Sequence, residues 1–353
     1  MSRVLVRADA APDIGTGHVM RCLAVAEALA DLGHDAVFAM ARSTPAIDRR
    51  LDSSGFRRLA LPGPPAGAAD CEATVAAARG ALAVILDGYG FDETYRAGLR
   101  RSGARVAAFD DLADRTALHA DVVVNPAPQA GALPYATIAH GAVLLLGPAY
   151  AALRREVREA ASAPRCPLQE RRAVLVTFGG SDPLGLTLPC VERLAAALPG
   201  DVRLLVAVGG STPDAAAILR SVAGFGARVE PLLDTPAMGN LMARAGLAVS
   251  AAGGTTAELC ALGVPTVLVT VADNQAPAAA EVGAAGWCLS VDGRSADAAG
   301  RITGAAVRLW HDFPERLRMT EATRRLVDGQ GAMRIARAIL SSAASMDARI
   351  LAG

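Results

Sequence analysis

The sequence predicts two α/β domains in tandem, each a parallel sheet covered by helices. Three observations carry that expectation. Short runs rich in Val, Ile and Leu alternate with longer Ala/Leu stretches at helical spacing. The alternation breaks once, between residues 150 and 172, and then restarts. The chain has 353 residues, more than one core usually accommodates, so two domains of roughly 150 residues each are expected.

In the first half, strands are expected at "RVLVRAD", "DAVFAMA", "FRRLAL", "LAVILDGY", "ARVAAFDD", "DVVVNP" and "AVLLLGP". Helical stretches lie between several of them. The clearest is "GHVMRCLAVAEALADLG", with apolar residues at 19, 22, 23, 26 and 29 and a closing Gly33. Strand, helix, strand in repetition calls for right-handed crossovers and parallel pairing. The stretch 150–172 is charged, carries Pro164 and Pro167 and lacks a strand signal, which suits a linker with a short helix. The pattern resumes with "AVLVTFGGSD", "VRLLVAVGG", "ARVEPLL", "LAVSAAGG", "PTVLVTVAD" and "GWCLSV", separated by helices such as "TLPCVERLAAAL" and "TAELCALG". The expected division is a Rossmann-type domain over 1–155, a linker over 156–172 and a second Rossmann-type domain over 173–353. The last helix is expected to pack back on the first domain, and the tail "SSAASMDARILAG" to fray. Two such domains facing one another would leave a cleft at the carboxyl ends of their sheets, where sheets of this kind bind ligands.

Composition narrows the partners. Lys plus Arg equals Asp plus Glu at 35 each, so no net field draws nucleic acid or an anionic membrane to the surface, and an anionic ligand must be held locally. Apolar runs are cut by Gly and Pro before they could span a bilayer, and Arg3, Arg7 and Asp9 spoil the start as a secretory signal. A cytoplasmic monomer is expected. The six cysteines stand singly, without CxxC or zinc spacing, so neither disulfides nor a metal site is expected.

Three strand-to-helix turns are rich in glycine: "DIGTGH" (13–18), "FGGSDP" (178–183) and "SAAGGTTAE" (250–258). Glycines let backbone approach a ligand, and the amides of a helix start favour an anion. One such turn is ordinary punctuation; three together point to a phosphate-bearing ligand. In the third, Thr255 or Thr256 could cap the helix and donate to a diphosphate. Glu258 suits ribose hydroxyls, or alternatively acts as a capping carboxylate. There is no GxxxxGK[ST] loop, and "GTGHVM" puts Met20 where a dinucleotide fingerprint needs its third glycine.

The blocks "RADAAPDIGTGHVMRCLAVAEAL", "AFDDLADR", "LLLGPAYAALRRE", "VTFGGSDP" and "AAGGTTAELCALGVPTVLVTVADNQ" span residues 7–275. In this order they resemble the bacterial UDP-2,4-diacetamido-2,4,6-trideoxy-β-L-altropyranose hydrolases of pseudaminic acid biosynthesis. Their superfamily includes the peptidoglycan N-acetylglucosaminyltransferase with its two-domain GT-B fold. The resemblance implies a GT-B architecture, with UDP on the second domain at Gly179, Gly180, Ser181, Gly253, Gly254, Thr255, Thr256 and Glu258. It implies inverting hydrolysis at the anomeric carbon–oxygen bond, with no metal or cofactor and a small-molecule UDP-sugar as the partner.

His18, in the matched GxGH turn, is implied as the base that activates water; a helix N-terminus favours the neutral imidazole that a base requires. Its plain alternative is a histidine that caps or packs. Tyr89 and Asn274 match residues placed near the reacting sugar, although Tyr89 could equally pack on a loop and "ADNQ" could be an Asx turn starting a helix. Gly15, Gly17, Arg21, Asp9, Asp111, Asp273 and Gln275 fall in or beside matched blocks as substrate contacts. Of the adjacent Asp110 and Asp111, one is expected to face the ligand and the other to be structural, because neighbours at a strand end diverge. "SDPLGLT", Ala257 and "VVNPAPQAGALPY" depart from the family pattern and put the exact sugar in doubt. A glycosyltransferase of the same fold and a non-catalytic sugar-nucleotide binder are the rival readings.

Overall fold

A computed structural model describes residues 3–324 and 326–341, so the tail expected to fray lies, beyond Ser341, outside the described residues. The chain divides into two compact units. One holds the residues up to Ala11, His18–Arg154 and those from Gln330 onward; the other holds Pro12–Gly17 and Arg155–Gly329.

The first unit contains strands β1 (Arg3–Ala8), β2 (Asp35–Met40), β3 (Arg57–Ala60), β4 (Ala83–Asp87), β5 (Arg105–Phe109), β6 (Val122–Asn125) and β7 (Val143–Leu146). All pair in parallel, in the order β3-β2-β1-β4-β5-β6-β7. Each strand coincides with a run expected from the sequence. Helices α1 (Gly17–Asp31), α2 (Pro45–Ser53), α3 (Ala68–Ala78), α4 (Glu93–Leu99) and α5 (Tyr135–Ile138) intervene. The two-residue period of β1 sends Val4 and Val6 to one face, against Val19, Cys22, Leu23, Ala26 and Leu29 of α1. Leu5 goes to the other face, with Val75 of α3 and Tyr95 and Leu99 of α4. Cover on both faces explains why the interior strands β1, β2, β4, β5 and β6 read as nearly unbroken apolar runs. Each buried Val or Leu of α1 contributes about 1.5–3 kcal/mol. The helix closes at Gly33, whose φ of +83° is one that glycine adopts without strain.

The second unit contains β8 (Ala173–Thr177), β9 (Arg203–Val208), β10 (Val229–Leu233), β11 (Leu247–Ala251), β12 (Thr266–Thr270) and β13 (Leu289–Asp292), parallel in the order β10-β9-β8-β11-β12-β13. Its helices are α6 (Arg155–Ser162), α7 (Thr187–Ala197), α8 (Ala215–Ala223), α9 (Met238–Arg244), α10 (Thr255–Ala261), α11 (Ala276–Ala284), α12 (Ala298–His311) and α13 (Phe313–Arg324). The stretch 156–172 belongs to this unit rather than standing apart. Val157 and Ala160 of α6 are buried, and Glu156 Oε2 accepts the Gly239 amide at the start of α9, 2.8 Å away.

The final helix, α14 (Gly331–Leu340), belongs to the first unit. Ala332, Ile335, Ala336 and Ile339 join the cluster formed by β1 and α1. The Arg105 guanidinium, on β5, donates to the carbonyls of Ala338 and Ile339 at 3.0 and 3.3 Å, satisfying acceptors that a helix end leaves open.

These strand orders position the sites. β1 lies between β2 and β4, so the connections leaving β1 and β4 depart in opposite directions and leave a crevice at the carboxyl ends of those two strands. In the second unit, β8 lies between β9 and β11 in the same way.

Candidate functional site

The crevice of the first unit is where His18 sits. His18, Arg21 and Cys22 are spaced i, i+3, i+4 at the start of α1, so they project from one helical face. All three reach one carboxylate, Asp87, the last residue of β4. His18 Nδ1 lies 2.7 Å from Asp87 Oδ1. Arg21 donates from Nε to Oδ2 at 2.5 Å and from Nη2 to Oδ1 at 2.7 Å. The Cys22 thiol donates to Oδ2 at 3.6 Å. Asp87 is 1% exposed. Burial alone would raise its carboxyl, but the charges of Arg21 and His18 and their hydrogen bonds outweigh that and hold it well below the usual carboxylate range. With Nδ1–H donated to a fixed carboxylate, the neutral tautomer leaves His18 Nε2 as the open acceptor.

Arg21 also grips a second carboxylate. Its Nη1 and Nη2 donate to Asp111 Oδ1 and Oδ2 at 2.8 and 3.0 Å, and its guanidinium lies 4.7 Å from the centre of the Phe109 ring. The Tyr89 hydroxyl donates to Asp111 Oδ2 at 3.0 Å, and the Tyr89 ring meets the His18 ring edge-on, with centroids 4.8 Å apart. Tyr89 remains 42% exposed despite these contacts. His18, Arg21, Tyr89 and Asp111 are therefore brought together, as parts of one cluster organised by Asp87.

Asp9 and Asp110 are placed elsewhere. Asp9 accepts from Arg7 at 2.8 Å and from the Ala41 and Arg42 amides at 2.8 and 2.9 Å, so its carboxylate ties β1 to the end of β2 and is not open to substrate. Asp110 accepts the Ala113 amide and the Tyr135 hydroxyl at 2.8 and 2.9 Å, which makes it the structural member of the adjacent pair. Gly15, with φ of +81°, and Gly17 group with the second unit.

In the second unit the turns after β8 and β11 flank the corresponding crevice. Gly179 has a φ of +76°, and the Gly180 carbonyl accepts the Ser211 amide at 3.0 Å. A Cβ on Gly209 would lie 2.4 Å from the carbonyl oxygens of Gly179 and Gly180, so the turn after β9 packs directly on the turn after β8. The amides that begin α7 are not open to a ligand. Asp182 Oδ1 and Oδ2 accept from Leu186 and Thr187 at 2.9 Å each, leaving backbone at 179–181 as what this turn can offer an anion. After β11, the expected threonine cap is replaced. Gly254 is the N-cap of α10, no side chain caps it, and Thr255 and Thr256 are the first helical residues. Neither Gly253 nor Gly254 has positive φ, and an added Cβ at either would meet nothing within 4 Å among the described residues. Glu258 is buried in the first turn of α10.

Asn274 lies exposed on a single 3-10 turn, Asp273–Gln275, after β12. Arg294 clasps Asp273 through Nη1 and Asp292 through Nε at 2.8 Å. Gln275 Oε1 accepts the Val271 amide at 3.0 Å. The side chain that closes this turn is thus Gln275. Among the described residues, no group of three His, Cys, Asp or Glu side chains could hold a metal ion, and no helix is long and apolar enough to cross a membrane.

Sequence reasoning missed Asp87, although two signals were present. It ends a strand beside the first strand, and it follows the helical face on which His18 and Arg21 coincide. The motif "LDGYGF" draws attention to its tyrosine instead.

Two parallel-sheet α/β units of seven and six strands, each with its crevice, define a GT-B-like fold. Residues 173–303 match the glycosyltransferase family 28 C-terminal domain. The fold is shared with MurG of Acinetobacter baumannii (TM-score 0.57, 20% identity, 96% of this chain and 99% of that one). It is also shared with the glycosyltransferase SsfS6 of Streptomyces sp. SF2575 complexed with thymidine diphosphate (0.60, 16%, 95% and 98%). A third is Phytolacca americana UGT2 complexed with UDP-2-fluoro-glucose (0.61, 13%, 100% of both). Because these two complexes hold different nucleotides, the fold alone does not select the base. Among curated proteins, "Uncharacterized protein MJ1062" of Methanocaldococcus jannaschii is 24% identical over 196 residues, 54% of this chain, and the match spans about two fifths (40%) of that relative.

Proposed function

We propose that this chain hydrolyses a nucleotide sugar, and that its substrate is UDP-2,4-diacetamido-2,4,6-trideoxy-β-L-altropyranose. The observation that carries the reading is the His18–Asp87 pair: a buried carboxylate 2.7 Å from Nδ1, clamped by Arg21, with Tyr89 against the ring. That is how a general base is held in one tautomer and one orientation. In the proposed step, His18 Nε2 takes a proton from water as the water oxygen bonds to the anomeric carbon. The bond from that carbon to the diphosphate oxygen breaks with its electron pair on the oxygen, UDP departs and the anomeric configuration inverts. Asp87 stabilises the imidazolium that forms.

UDP is assigned to the second unit, with its diphosphate over the backbone at 179–181 and 253–254 and the hydroxyls of Ser181, Thr255 and Thr256. Glu258 is assigned to the ribose. The open space above Gly253 and Gly254 supports this, since neither backbone conformation nor a neighbouring atom demands glycine there. Asn274 and Gln275 are assigned to the sugar. The match at 173–303 favours a second reading, a glycosyltransferase in which the same base deprotonates an acceptor hydroxyl.

Incubation with the UDP-sugar, without acceptor and in ¹⁸O-labelled water, tests the proposal. UDP release by the wild type and not by His18→Ala, with label in the sugar, supports hydrolysis. Label in UDP refutes carbon–oxygen cleavage, and release only when an acceptor is added establishes the transferase.

A further inference from the structure

The loop that carries Tyr89 has a glycine on each side, Gly88 and Gly90, and 42% of Tyr89 is exposed. Such a segment has wide backbone freedom. Its tyrosine ring lies edge-on to the His18 ring, 82° between planes. Contacts along the loop account for this, and two of them come from arginines.

The Arg115 Nη2 donates to the Tyr89 carbonyl at 2.6 Å, and the Arg96 Nε donates to the Phe91 carbonyl at 3.1 Å. The two bonds fall on either side of Gly90. Arg96, on α4, is 2% exposed, and its Nη1 has no hydrogen-bond partner among the described residues. Arg115 comes from the loop after β5, and its buried Nε is likewise without a partner. Burial lowers the Arg96 guanidinium below its usual value, with Asp110 and Asp87 opposing that shift and Arg115 adding to it. An arginine buried with an orphaned donor is a costly way to fill space, and an apolar side chain of similar length would serve packing better. The Phe91 ring is itself wedged, 4.8 Å from the Arg7 guanidinium and 4.7 Å from the Tyr95 ring. A Cβ on Gly88 would lie 2.8 Å from that phenyl ring.

We propose that Arg96 and Arg115 are positioning residues that hold the Tyr89–Phe91 backbone so that Tyr89 faces His18. The proposal rests on the reading of Tyr89 as part of the reacting site. Neither arginine touches substrate; each acts through a carbonyl.

The test uses the full chain with Arg96→Met, Arg115→Met and Arg115→Lys, measuring amide hydrogen exchange across residues 88–92, thermal midpoint, kcat and KM. The Met variants are expected to exchange at least about tenfold faster in that loop. They are expected to lose about 10- to 100-fold in kcat with KM within about threefold, as a small misplacement of a reacting group does. Arg96→Met exchanges a buried charge with an orphaned donor for an unpaired Phe91 carbonyl, so the thermal midpoint should stay within about 3 °C, and Arg115→Lys, which can still donate to the Tyr89 carbonyl, should recover most of kcat. A structural role alone would lower the midpoint and leave the exchange of this loop in step with the rest of the chain, which overturns the proposal. Unchanged loop exchange in both Met variants also overturns it. Should the wild type turn over no UDP-sugar, the chemical reading of Tyr89 fails, and the exchange measurement still decides whether the arginines hold the loop. Arg96→Lys replaces Arg96→Met if the latter does not fold.

Discussion

Asp87→Asn is the sharpest perturbation of the first unit. The carboxylate accepts from His18 on Oδ1 and from Arg21 on both oxygens, whereas an amide has only one acceptor oxygen. With that oxygen toward Arg21 Nε, the amide N–H₂ meets His18 Nδ1 and donates to it, which moves the imidazole proton to Nε2 and removes the base. In either orientation the N–H₂ also confronts one Arg21 donor, Nη2 at the Oδ1 position or Nε at the Oδ2 position. Both orientations lose the negative charge that stabilises the imidazolium formed when His18 takes a proton, and the first also sets the wrong tautomer. The analogous change in serine proteases lowers kcat about 10⁴-fold. Here a loss of about 10³- to 10⁴-fold is expected, with nucleotide affinity retained. Breaking a buried pair on one side costs about 3–5 kcal/mol; because Asn keeps the shape and one acceptor, the lower end is expected. Asp87 is held below its ordinary value, so its contribution to stability is complete above about pH 4 and is lost as pH falls through the folded value. The stability gap between wild type and variant should therefore be full at pH 7 and narrow in acid. UDP release measured by phosphorus NMR, alongside thermal melts at pH 7 and pH 3.5, checks both arms. A folded variant with kcat within threefold of wild type would refute the assignment of Asp87 as the orienting group.

Gly254→Ala should leave the thermal midpoint within about 1 °C, since φ and space both tolerate a methyl, yet weaken UDP binding at least about tenfold in a titration; unchanged affinity counts against a diphosphate at this turn. Asp70→Asn removes the charge that meets the fully buried Arg7, which also has Asp9 as a partner, and should cost about 3 kcal/mol in denaturant melts. Despite burial, Arg7 holds the Asp70 carboxyl below its usual range, so that deficit should be complete at neutral pH and shrink below about pH 4. Ile335→Ala empties a fully buried position of α14 and should cost about 2–5 kcal/mol, with loss of protection in β1 and α1 if the helix is integral to the first unit. In native protein at pH 8, an alkylating reagent should modify exposed Cys166 first, while Cys190, Cys260 and Cys288, pushed up to about 12 by burial, react only on unfolding.

The interior strands were legible because both faces of each sheet are covered there, and a strand buried on both faces must be apolar along its length. The edge strand β3, "RRLA", is exposed throughout and reads instead from its place in the repeating alternation of strand and helix. What remained hidden depends on contacts distant in sequence. Asp87 is 69 residues from His18, and nothing local marks it as more than a strand-ending aspartate. Asp9 looked available because its two amide partners, Ala41 and Arg42, lie at the end of the next strand. The α7 start looked like an anion site because Asp182 reaches it only through a residue in left-handed conformation, φ +41°. Helical spacing carried further than it was used: the apolar positions 19, 22, 23, 26 and 29 mark the helix, and the same period puts His18, Arg21 and Cys22 on one face toward Asp87.

The same electrostatics bears on a question raised by the glycines of "DIGTGH", which resemble a phosphate loop. Around His18 stand two carboxylates, Asp87 and Asp111, against one guanidinium, Arg21. With His18 neutral the cluster carries a net charge of one negative. A diphosphate brought to about 5 Å would meet a repulsion of about 3 kcal/mol for each unit of its own charge at an effective dielectric of 20. The turns of the second unit offer glycine backbone and hydroxyls at 179–181 and 253–256; Asp182 beside the first is already bound to amides, and Glu258 is buried in the first turn of α10 beside the second. The repulsion weighs against a diphosphate beside His18 itself, whereas residues 12–17 group with the second unit and the Thr16 side chain lies against Gly180.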